Sequence, residues 1–380
     1  MNKRNEQLSV GSPKSTSEWT LEPTREVAPA VSSSQVPFVS VVMPMRNEGK
    51  LLEPCLLSLL AQSYPENRFE ILVVDGRSSD GSRDVVERLG AGSASLFLLD
   101  NPGQHTPSGM NVGIRAARGS IIIIAGAHCV YPRRFIGNCA VWLERTGADV
   151  VGGPVKTAAS SKAFGAQLAC AILSSPFGVG NSRFRTSVQE GYVDTVPFGA
   201  YRREVFERVG LFNERLIRNQ DNDLSARVRE AGGKIYMTPA LTTVYVPISN
   251  YVDLLRQAFQ KSQWHGLTWK ENRKALGFRH LCPAAILAIS AFLVLLSPWN
   301  VPARAILLAL GVLYFLLGIW FATHAEEKRS RGVRLVMPFA CVLFHFAYGL
   351  GTLFGVRRLL SATASNRAGA IIGTLEQPKN

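Results

Sequence analysis

The chain has 380 residues, 47 % of them hydrophobic, and a formal net charge of +14 at pH 7. This length accommodates one large domain with additional segments, and the positive charge indicates an anionic partner such as nucleic acid, a membrane surface or a phosphate-rich substrate. No RNA- or DNA-binding motif is present, and the six Cys are scattered without a Cys-x-x-Cys pair, so we predict no nucleic acid partner, zinc site or disulfide framework.

The N-terminal segment, residues 1–36, is rich in Ser, Pro, Glu, Thr and Lys and poor in large apolar residues. Such a segment cannot bury enough apolar surface to offset the entropy lost on ordering, so we predict that it is disordered. It also lacks the apolar core of a secretory signal peptide, which predicts that the following domain remains in the cytoplasm.

An alternation of apolar runs and helix-like stretches begins at Pro37. The runs are FVSVVMP, FEILVVD, SLFLLD and SIIIIAG, and the stretches between them are LLEPCLLSLLAQS, SRDVVERLG and SGMNVGIRAARG. Strands that are apolar throughout and alternate with helices predict a parallel sheet covered on both faces. In such doubly wound α/β folds, ligands bind beyond the carboxyl ends of the strands.

Candidate ligand-binding residues follow the first two predicted strands and open a later helix. Asp75, followed by Gly76, can receive a nucleotide, and the alternative is an ordinary turn with a capping Asp. The remaining candidates lie in PMRNE and TPSGMNVGIRAARG, where backbone N–H groups at a helix start can meet an anion; they are Pro44, Arg46, Glu48, Gly109 and Asn111.

The stretch IIIIAGAHCVYP, residues 121–132, predicts a buried strand that delivers a loop to the edge of the site. Enzymes built in this way often carry a metal-binding carboxylate there. This loop contains only His128 as a candidate metal ligand. A single His at a strand end is also compatible with simple packing or hydrogen bonding.

The segment from Phe198 to Gly210 predicts a loop that leads into a short helix. RNQDNDLSARVREAGG then predicts a helix that begins near Gln220, with Asp221 and Asp223 in its first turn. Two carboxylates beside a cleft can supply a general base. The alternative is helix capping together with an Asp223–Arg227 pair at i,i+4.

Three uncharged apolar segments, 281–299, 305–325 and 335–356, predict membrane helices within a region spanning residues 271–360, followed by a tail at 361–380. The basic segments KENRKALGFRH and EEKRSRGVR should both face the cytoplasm, as two crossings require. A third crossing would place Arg357 and Arg358 outside. The third segment therefore re-enters, lies along the interface, or violates the rule.

Together, the motifs in residues 37–270 resemble a family 2 glycosyltransferase of the GT-A fold, a Rossmann-like nucleotide-sugar-binding domain. Within that family the chain is similar to membrane-bound exopolysaccharide enzymes, notably the ExoA-type succinoglycan glucosyltransferases. The motifs are VSVVMPMRNE, VVDGRSSDGS, TPSGMNVGIRAARG, AHCVYP, SSPFGVGNSRFR, VDTVPFGAYRREVF and NQDNDLSARVREAGGKIY.

The resemblance implies an inverting transfer from a UDP-sugar, with Asp75 at the uridine and Asp221 as the base that deprotonates the acceptor. It also implies a divalent Mn²⁺ or Mg²⁺ at the loop containing His128, where the ion offsets charge on the leaving UDP. His favours Mn²⁺.

The chain departs from the family pattern at three positions. Gly126 replaces the usual Asp of the metal loop, so the need for a metal is left open. Gln220 replaces a Glu and can position Asp221 without acting as a base. QKSQW resembles the Gln-x-x-Arg-Trp motif of processive synthases, with Gln263 in the Arg position. Gln260 and Trp264 then belong to the acceptor or diphosphate region, together with Gln220, Asp223 and Arg227, although Trp264 also fits an aromatic anchor at the membrane surface.

We therefore predict a multi-pass protein of the bacterial inner membrane with a cytoplasmic catalytic domain. It would transfer one sugar, with glucose expected, to a polyprenyl-diphosphate-linked oligosaccharide in exopolysaccharide synthesis. Membrane lipids and other exopolysaccharide assembly proteins are the expected partners. The alternatives are a processive polysaccharide synthase and a non-catalytic nucleotide-sugar-binding membrane protein.

Overall fold

The computed structural model describes residues 36–246, 250–324 and 329–364, with side chains up to residue 361. Residues 1–35 of the segment predicted to be disordered lie outside this description. Val36 is described, and its side chain is buried. The predicted tail lies outside the description from residue 365 onward.

The first half of the domain alternates strands and helices, as predicted. The four longest strands of the main sheet run parallel, with β1 between β2 and β4. The elements are β1 (Val39–Met45), α1 (Leu52–Leu60), β2 (Phe69–Asp75), α2 (Ser82–Gly90), β3 (Leu96–Asp100), α3 (Thr106–Ala116) and β4 (Ile121–Ile124), with short 3₁₀ turns at Gly49–Leu51 and Glu66–Arg68.

The second half consists of shorter strands and helices. These are β5 (Cys129–Val130), α4 (Phe135–Thr146), β6 (Val150–Gly152), β7 (Val155–Thr157), α5 (Phe164–Leu173), α6 (Pro176–Val179), α7 (Arg183–Thr186), β8 (Gly191–Tyr192), β9 (Ala200–Arg202), α8 (Arg203–Val209), α9 (Gln220–Glu230), β10 (Ile235–Met237) and β11 (Thr243–Tyr245), with a 3₁₀ turn at Pro239–Leu241.

The main sheet is mixed, whereas the sequence predicted a parallel one. Its strand order is β3-β2-β1-β4-β9-β6-β10-β8, and β5-β11-β7 form a second, small sheet. Strand β9 pairs antiparallel with both β4 and β6, and β8 pairs antiparallel with β10. The prediction failed at β9 because only three residues of the expected loop form the strand, too few to produce a recognisable apolar run.

Helices cover both faces of the main sheet, as predicted for a doubly wound fold. One face buries alternate β1 residues such as Val41 and Met43 against α1 and α4. The opposite face buries residues such as Val42 and Val74 against α3, α8 and α9. Because both faces are covered, the exposed functional edge is the one formed by the loops that follow the parallel strands.

The C-terminal part contains three helices long and apolar enough to cross a membrane. They follow α10 (Tyr251–Ser262) and α11 (His265–Glu271), and they are α12 (Phe278–Leu296), α13 (Val301–Thr323) and α14 (Arg331–Ala364). These helices match the three predicted segments to within a few residues at most ends, but α14 extends well beyond 335–356. It is one unbroken helix of 34 residues, which argues against the re-entrant alternative.

Helix α14 packs against helices of the preceding domain. The Tyr251 hydroxyl donates to the Ala340 carbonyl at 2.7 Å, and Gly351 lies directly against Ser262. Helix α10 lies before residue 271 and α11 ends at it, and both helices contact α14. The predicted domain boundary near residue 270 therefore stays a prediction.

Helices α12 and α13 form a hairpin. Helix α14 contacts both of them near their ends that lie closest to the α/β domain. Gly349 lies against Pro283, six residues into α12, and Gly318 lies against Pro338, close to the end of α13. Apolar side chains farther along both helices are exposed, for example Leu295 at 70 % and Leu308 at 70 %. Helix α14 thus crosses the base of the hairpin.

Candidate active site

Side chains join the loops that follow β1 and β2 into one wall of the site. The Asn47 N–H donates to Ser78 Oγ at 3.0 Å, and the Ser79 N–H donates to Asn47 Oδ1 at 2.8 Å. The Gly49 N–H donates to Asp80 Oδ2 at 2.9 Å. These contacts fix the relative positions of the loops containing two groups of predicted ligand-binding residues.

Asp75 is buried at the end of β2 and is held by two neighbours. Its Oδ1 accepts hydrogen bonds from the Ser78 N–H at 3.0 Å and the Ser78 hydroxyl at 2.6 Å, and its Oδ2 accepts one from Arg83 at 3.3 Å. Arg46 lies across the adjacent Gly76. A carboxylate has about four lone-pair sites, so Oδ2 can still accept a donor from a ligand.

Strained backbone conformations mark the loops around this edge. Five non-glycine residues in the described part of the chain have left-handed φ angles, a conformation that is uncommon outside Asn, Asp and Gly. Three follow β1, β2 and β3, one precedes β9 and one precedes α9; they are Asn47, Arg77, Gln104, Phe198 and Asn219. Their distribution independently indicates the same functional edge.

Glu48 and His128 form a contact that was not predicted. Glu48 Oε2 lies 3.0 Å from His128 Nδ1, and both side chains are partly exposed. The His128 ring also packs edge-on against Tyr245, with a centroid distance of 5.1 Å. The pair brings a carboxylate beside the only predicted metal ligand.

The ring of Phe198 occupies the space next to Gly126 that a side chain at that position would need. A Cβ atom added to Gly126 would lie 2.4 Å from Phe198 Cε1 and 3.2 Å from Cys129 Sγ. The Gly126 N–H donates to the Tyr131 hydroxyl at 2.7 Å. The Phe198 ring therefore leaves no room for the side chain of an acid at position 126.

Asp221 lies in the first turn of α9, and its side chain makes no hydrogen bond or salt bridge with residues in 36–246, 250–324 or 329–361. It lies within electrostatic range of Tyr201 in β9 and Lys261 in α10. Burial, with a smaller contribution from Asp221, raises the pKa of the Tyr201 hydroxyl above its usual value. The carboxylate is available to a ligand.

Two buried acceptors next to Asp221 have no partner among the described residues. They are Gln220 Oε1 and Asn219 Oδ1. Leaving a buried acceptor unsatisfied costs about 1–3 kcal/mol, so a bound donor group would be favourable here.

The sequence predicted that Asn111 and Gly109 bind a ligand. In the structure, both residues make contacts within the protein instead. The Asn111 amide donates to the Phe212 carbonyl at 2.9 Å and to Glu214 at 2.7 Å, and it accepts from the Phe212 N–H at 3.0 Å. Helix α3 begins at Thr106, two residues before the predicted helix-like stretch begins at Ser108, and the Gly109 N–H is occupied by a bond to the His105 carbonyl. Gly109 instead permits close packing against Pro44.

Other residues predicted for the acceptor region have structural contacts. Asp223 is buried and paired with Arg227, which also donates to the Val209 and Leu211 carbonyls, as the i,i+4 alternative expected. Trp264 is buried with Leu216 and Leu267, so its interpretation as a membrane-surface anchor is wrong. Gln260 is exposed on α10.

Residues 40–210 match the family model described as Glycosyl transferase family 2. The chain carries a family 2 glycosyltransferase domain. Among similar curated proteins, the glycosyltransferase is 28% identical over 316 residues to succinoglycan biosynthesis protein ExoA of Rhizobium meliloti (strain 1021), covering 82% of this chain and 92% of that protein.

A second relative has a name that specifies a lipid-linked acceptor. It is the dolichyl N-acetyl-alpha-D-glucosaminyl phosphate 3-beta-D-2,3-diacetamido-2,3-dideoxy-beta-D-glucuronosyltransferase of Methanococcus voltae. The glycosyltransferase is 28% identical to it over 238 residues, covering 60% of this chain and 73% of that protein.

The fold of the glycosyltransferase is similar to that of the mannosyltransferase PcManGT from Pyrobaculum calidifontis, solved in complex with GDP-Man and Mn²⁺. The TM-score is 0.55 at 21% sequence identity, and the match covers 84% of this chain and 87% of that chain. This similarity confirms the predicted GT-A fold.

Proposed function

We propose that this glycosyltransferase moves a sugar from a UDP-sugar to a lipid-linked acceptor at a membrane surface, with inversion at the anomeric carbon. The unpartnered Asp221 carboxylate carries the proposal, because a general base must be free to reach the acceptor hydroxyl. The relatives and the three apolar helices support a lipid-linked acceptor. A role in exopolysaccharide synthesis rests on the relative ExoA, a succinoglycan biosynthesis protein, and glucose as the sugar rests on the resemblance of the sequence motifs to ExoA-type glucosyltransferases.

In this mechanism, Asp221 removes the proton of the acceptor hydroxyl as the hydroxyl oxygen attacks the anomeric carbon. The new oxygen–carbon bond forms on the face opposite the UDP, and the bond between that carbon and the phosphate oxygen breaks. Gln220 Oε1 can accept a hydrogen bond from a neighbouring sugar hydroxyl, which would satisfy this buried oxygen. At the other end of the site, Asp75 Oδ2 accepts a hydrogen bond from an N–H group of the uracil ring. Arg46 and Pro44 border the nucleotide.

Glu48 and His128 are the residues of this chain that fit a divalent ion. They form a carboxylate–imidazole pair at the strand edge. Within the described ranges, no three His, Cys, Asp or Glu side chains lie close enough together to hold a metal ion. The diphosphate would complete the coordination. When bound, the ion offsets negative charge on the departing UDP, and the imidazole favours Mn²⁺ over Mg²⁺.

Glu48→Gln and His128→Ala should each weaken Mn²⁺ binding in the presence of UDP by at least about tenfold, because each variant removes one of only two protein ligands. Titration of free Mn²⁺ by electron paramagnetic resonance measures the affinity without turnover. Glu53→Gln is the control, because Glu53 is a half-exposed carboxylate in α1 that pairs with Arg88. Unchanged affinity in both variants would exclude the pair as a metal site.

The structure supports a membrane arrangement in which α12 and α13 cross as a hairpin and α14 lies along the cytoplasmic interface. Helix α12 has 19 residues, which span about 28 Å and match the hydrocarbon thickness of about 30 Å. Helix α14 crosses the hairpin base, and α10, which carries the exposed Arg256, runs beside it. This arrangement keeps Arg357 and Arg358 in the cytoplasm of a bacterial cell.

A Leu360→Cys variant should therefore react with a membrane-impermeant maleimide in inside-out inner-membrane vesicles and remain unlabelled in intact spheroplasts. Pro298→Cys, in the α12–α13 turn, should show the reverse pattern. Both can be made after replacement of the native Cys with Ala. Labelling of residue 360 from outside would mean that α14 crosses the membrane.

The proposed activity is tested by UDP release from a panel of UDP-sugars. The assay uses membranes containing the protein, with and without a lipid-linked acceptor extract and with and without Mn²⁺ or Mg²⁺. Release that requires the acceptor would establish transfer and identify the donor. A ladder of products would indicate a processive synthase, and UDP-sugar binding without acceptor-dependent release would indicate a non-catalytic binding protein.

A further inference from the structure

The small sheet β5-β11-β7 holds an aromatic side chain beside the loop that follows β4. In its register, Tyr245 of β11 pairs with Cys129 of β5 on one side and with Thr157 of β7 on the other. The Tyr245 and His128 rings pack with their centroids 5.1 Å apart, and the Val246 N–H donates to the His128 carbonyl at 3.2 Å. The sheet therefore fixes Tyr245 against the loop containing the candidate metal ligand.

Arg185 of α7 packs on the same Tyr245 ring. Its guanidinium carbon lies 5.1 Å from the ring centroid, and its guanidinium donates to Thr157 Oγ1 at 3.4 Å. Arg185 is partly exposed, and it forms no salt bridge within the part of the chain that the structure describes. A guanidinium has five N–H donors, so several of them remain for a ligand.

These contacts place Arg185 on the donor side of the site. A single ring, that of Tyr245, separates its guanidinium from His128, whose Nδ1 lies 3.0 Å from Glu48 Oε2. Glu48 and His128 belong to the loops that follow the parallel strands β1 and β4, where a ligand of this fold binds. Arg185 thus brings a positive charge without an acidic partner to the edge proposed for the donor.

The sequence did not indicate a role for Arg185. The residue lies within SSPFGVGNSRFR, where no local pattern links it to a strand end. Its contact with Thr157 joins positions 28 residues apart, and Tyr245 lies in a three-residue strand near the end of the α/β domain. Only the pairing of the small sheet brings these residues together.

We propose that Arg185 binds the diphosphate of the UDP-sugar donor and stabilises UDP as it leaves. This inference rests on the proposed function and adds a residue to its donor site. In the transfer step, the bond between the anomeric carbon and the phosphate oxygen breaks, and its electron pair stays on that oxygen while the acceptor proton passes to Asp221. The guanidinium offsets the charge that the oxygen gains, and its planar N–H groups suit phosphate oxygens.

This charge does not depend on a metal ion. Glu48 and His128 are the residues that fit an ion, and Gly126 contributes no carboxylate to the loop. A guanidinium keeps its charge at any physiological pH, whether or not an ion is bound. We therefore expect the protein to bind UDP more tightly than uridine even in the presence of EDTA.

The test compares the Kd values of the full-length protein in detergent for UDP and for uridine, which lacks the diphosphate. Calorimetry is done once in EDTA and once in Mn²⁺. Arg185→Gln should raise the Kd for UDP about tenfold in both buffers and change the Kd for uridine less than about twofold. Arg185→Lys keeps the charge but loses the fork of N–H donors, so its Kd for UDP should lie between those of Arg185→Gln and the wild type.

Arg183→Gln is the matched control. Arg183 belongs to the same short helix, but its guanidinium donates to the Tyr192 carbonyl at 3.1 Å. This variant should change neither Kd by more than about twofold. Unchanged uridine binding in the Arg185 variants verifies that the nucleoside part of the site is still folded.

Equal losses of affinity for UDP and uridine in Arg185→Gln would mean that Arg185 only supports the structure of the site, and would overturn the proposal. An unchanged Kd for UDP in Arg185→Gln, or equal Kd values for UDP and uridine in the wild type, would also overturn it. If acceptor-dependent UDP release occurs while Arg185→Gln keeps its UDP affinity, the proposed activity stands and this inference fails. If the affinities change as expected but no donor supports release, the diphosphate site stands and the proposed activity fails.

Discussion

Asp221→Asn should lower the rate of sugar transfer by a factor of about 10²–10⁴ while the protein remains folded and binds UDP. The amide is nearly isosteric with the carboxylate but cannot accept the proton of the acceptor hydroxyl. Little stability should be lost, because the Asp221 side chain makes no hydrogen bond or salt bridge within the described residues.

The measurement is acceptor-dependent UDP release, combined with UDP affinity for each variant. Asp84→Asn is a matched control, since Asp84 is an exposed acidic residue in the first turn of α2. Asp223→Asn tests the neighbouring carboxylate, and it should reduce thermal stability because it weakens the buried pair with Arg227. Full activity in Asp221→Asn would eliminate this residue as the base.

Gly126→Asp, which restores the usual acid of the metal loop, should destabilise the protein by about 1–3 kcal/mol. The added Cβ would lie 2.4 Å from Phe198 Cε1 and 2.9 Å from Phe198 Cζ, so the ring or the loop must move. Introducing the acid alone should therefore fail to produce a well-formed metal site. The expected loss is measurable by chemical unfolding.

Phe198→Gly should relieve this conflict in the double variant. Phe198 has a φ of 49°, a conformation that glycine adopts without the cost paid by other residues. In a double-mutant cycle, the two changes should be coupled by about 1–3 kcal/mol, and the double variant should bind Mn²⁺ more tightly than Phe198→Gly alone. If the effects of Gly126→Asp and Phe198→Gly on stability are additive, the Phe198 ring does not restrict the side chain at position 126.

The fold was predictable where a local pattern was long enough. Strands β1, β2 and β4 are fully or almost fully buried apolar runs, and α12 and α13 are uncharged over a length sufficient for a bilayer. Strand β9 has three residues, and its antiparallel position depends on partners about 50 to 80 residues away. No local pattern encodes that pairing.

The candidate site was predictable only in part, for the same reason. Loops after parallel strands indicated Asp75 and His128, but the Glu48–His128 contact joins residues 80 positions apart. Asn111 has a side chain suited to ligand binding and lies near the start of a helix, yet its amide binds Phe212, 101 residues later in the sequence. Residue type and strand register determine which segment reaches an edge, whereas the direction of each side chain depends on packing between segments.

The position of α14 across the base of the hairpin has a consequence for acceptor size. If α14 lies in the interface, it fixes the height of the catalytic domain above the lipid, and the height of Asp221 with it. A diphosphate anchored at the membrane surface would then present only one range of glycan lengths to that carboxylate. The protein would act as a ruler, selecting acceptors by the distance between their reactive hydroxyl and the bilayer.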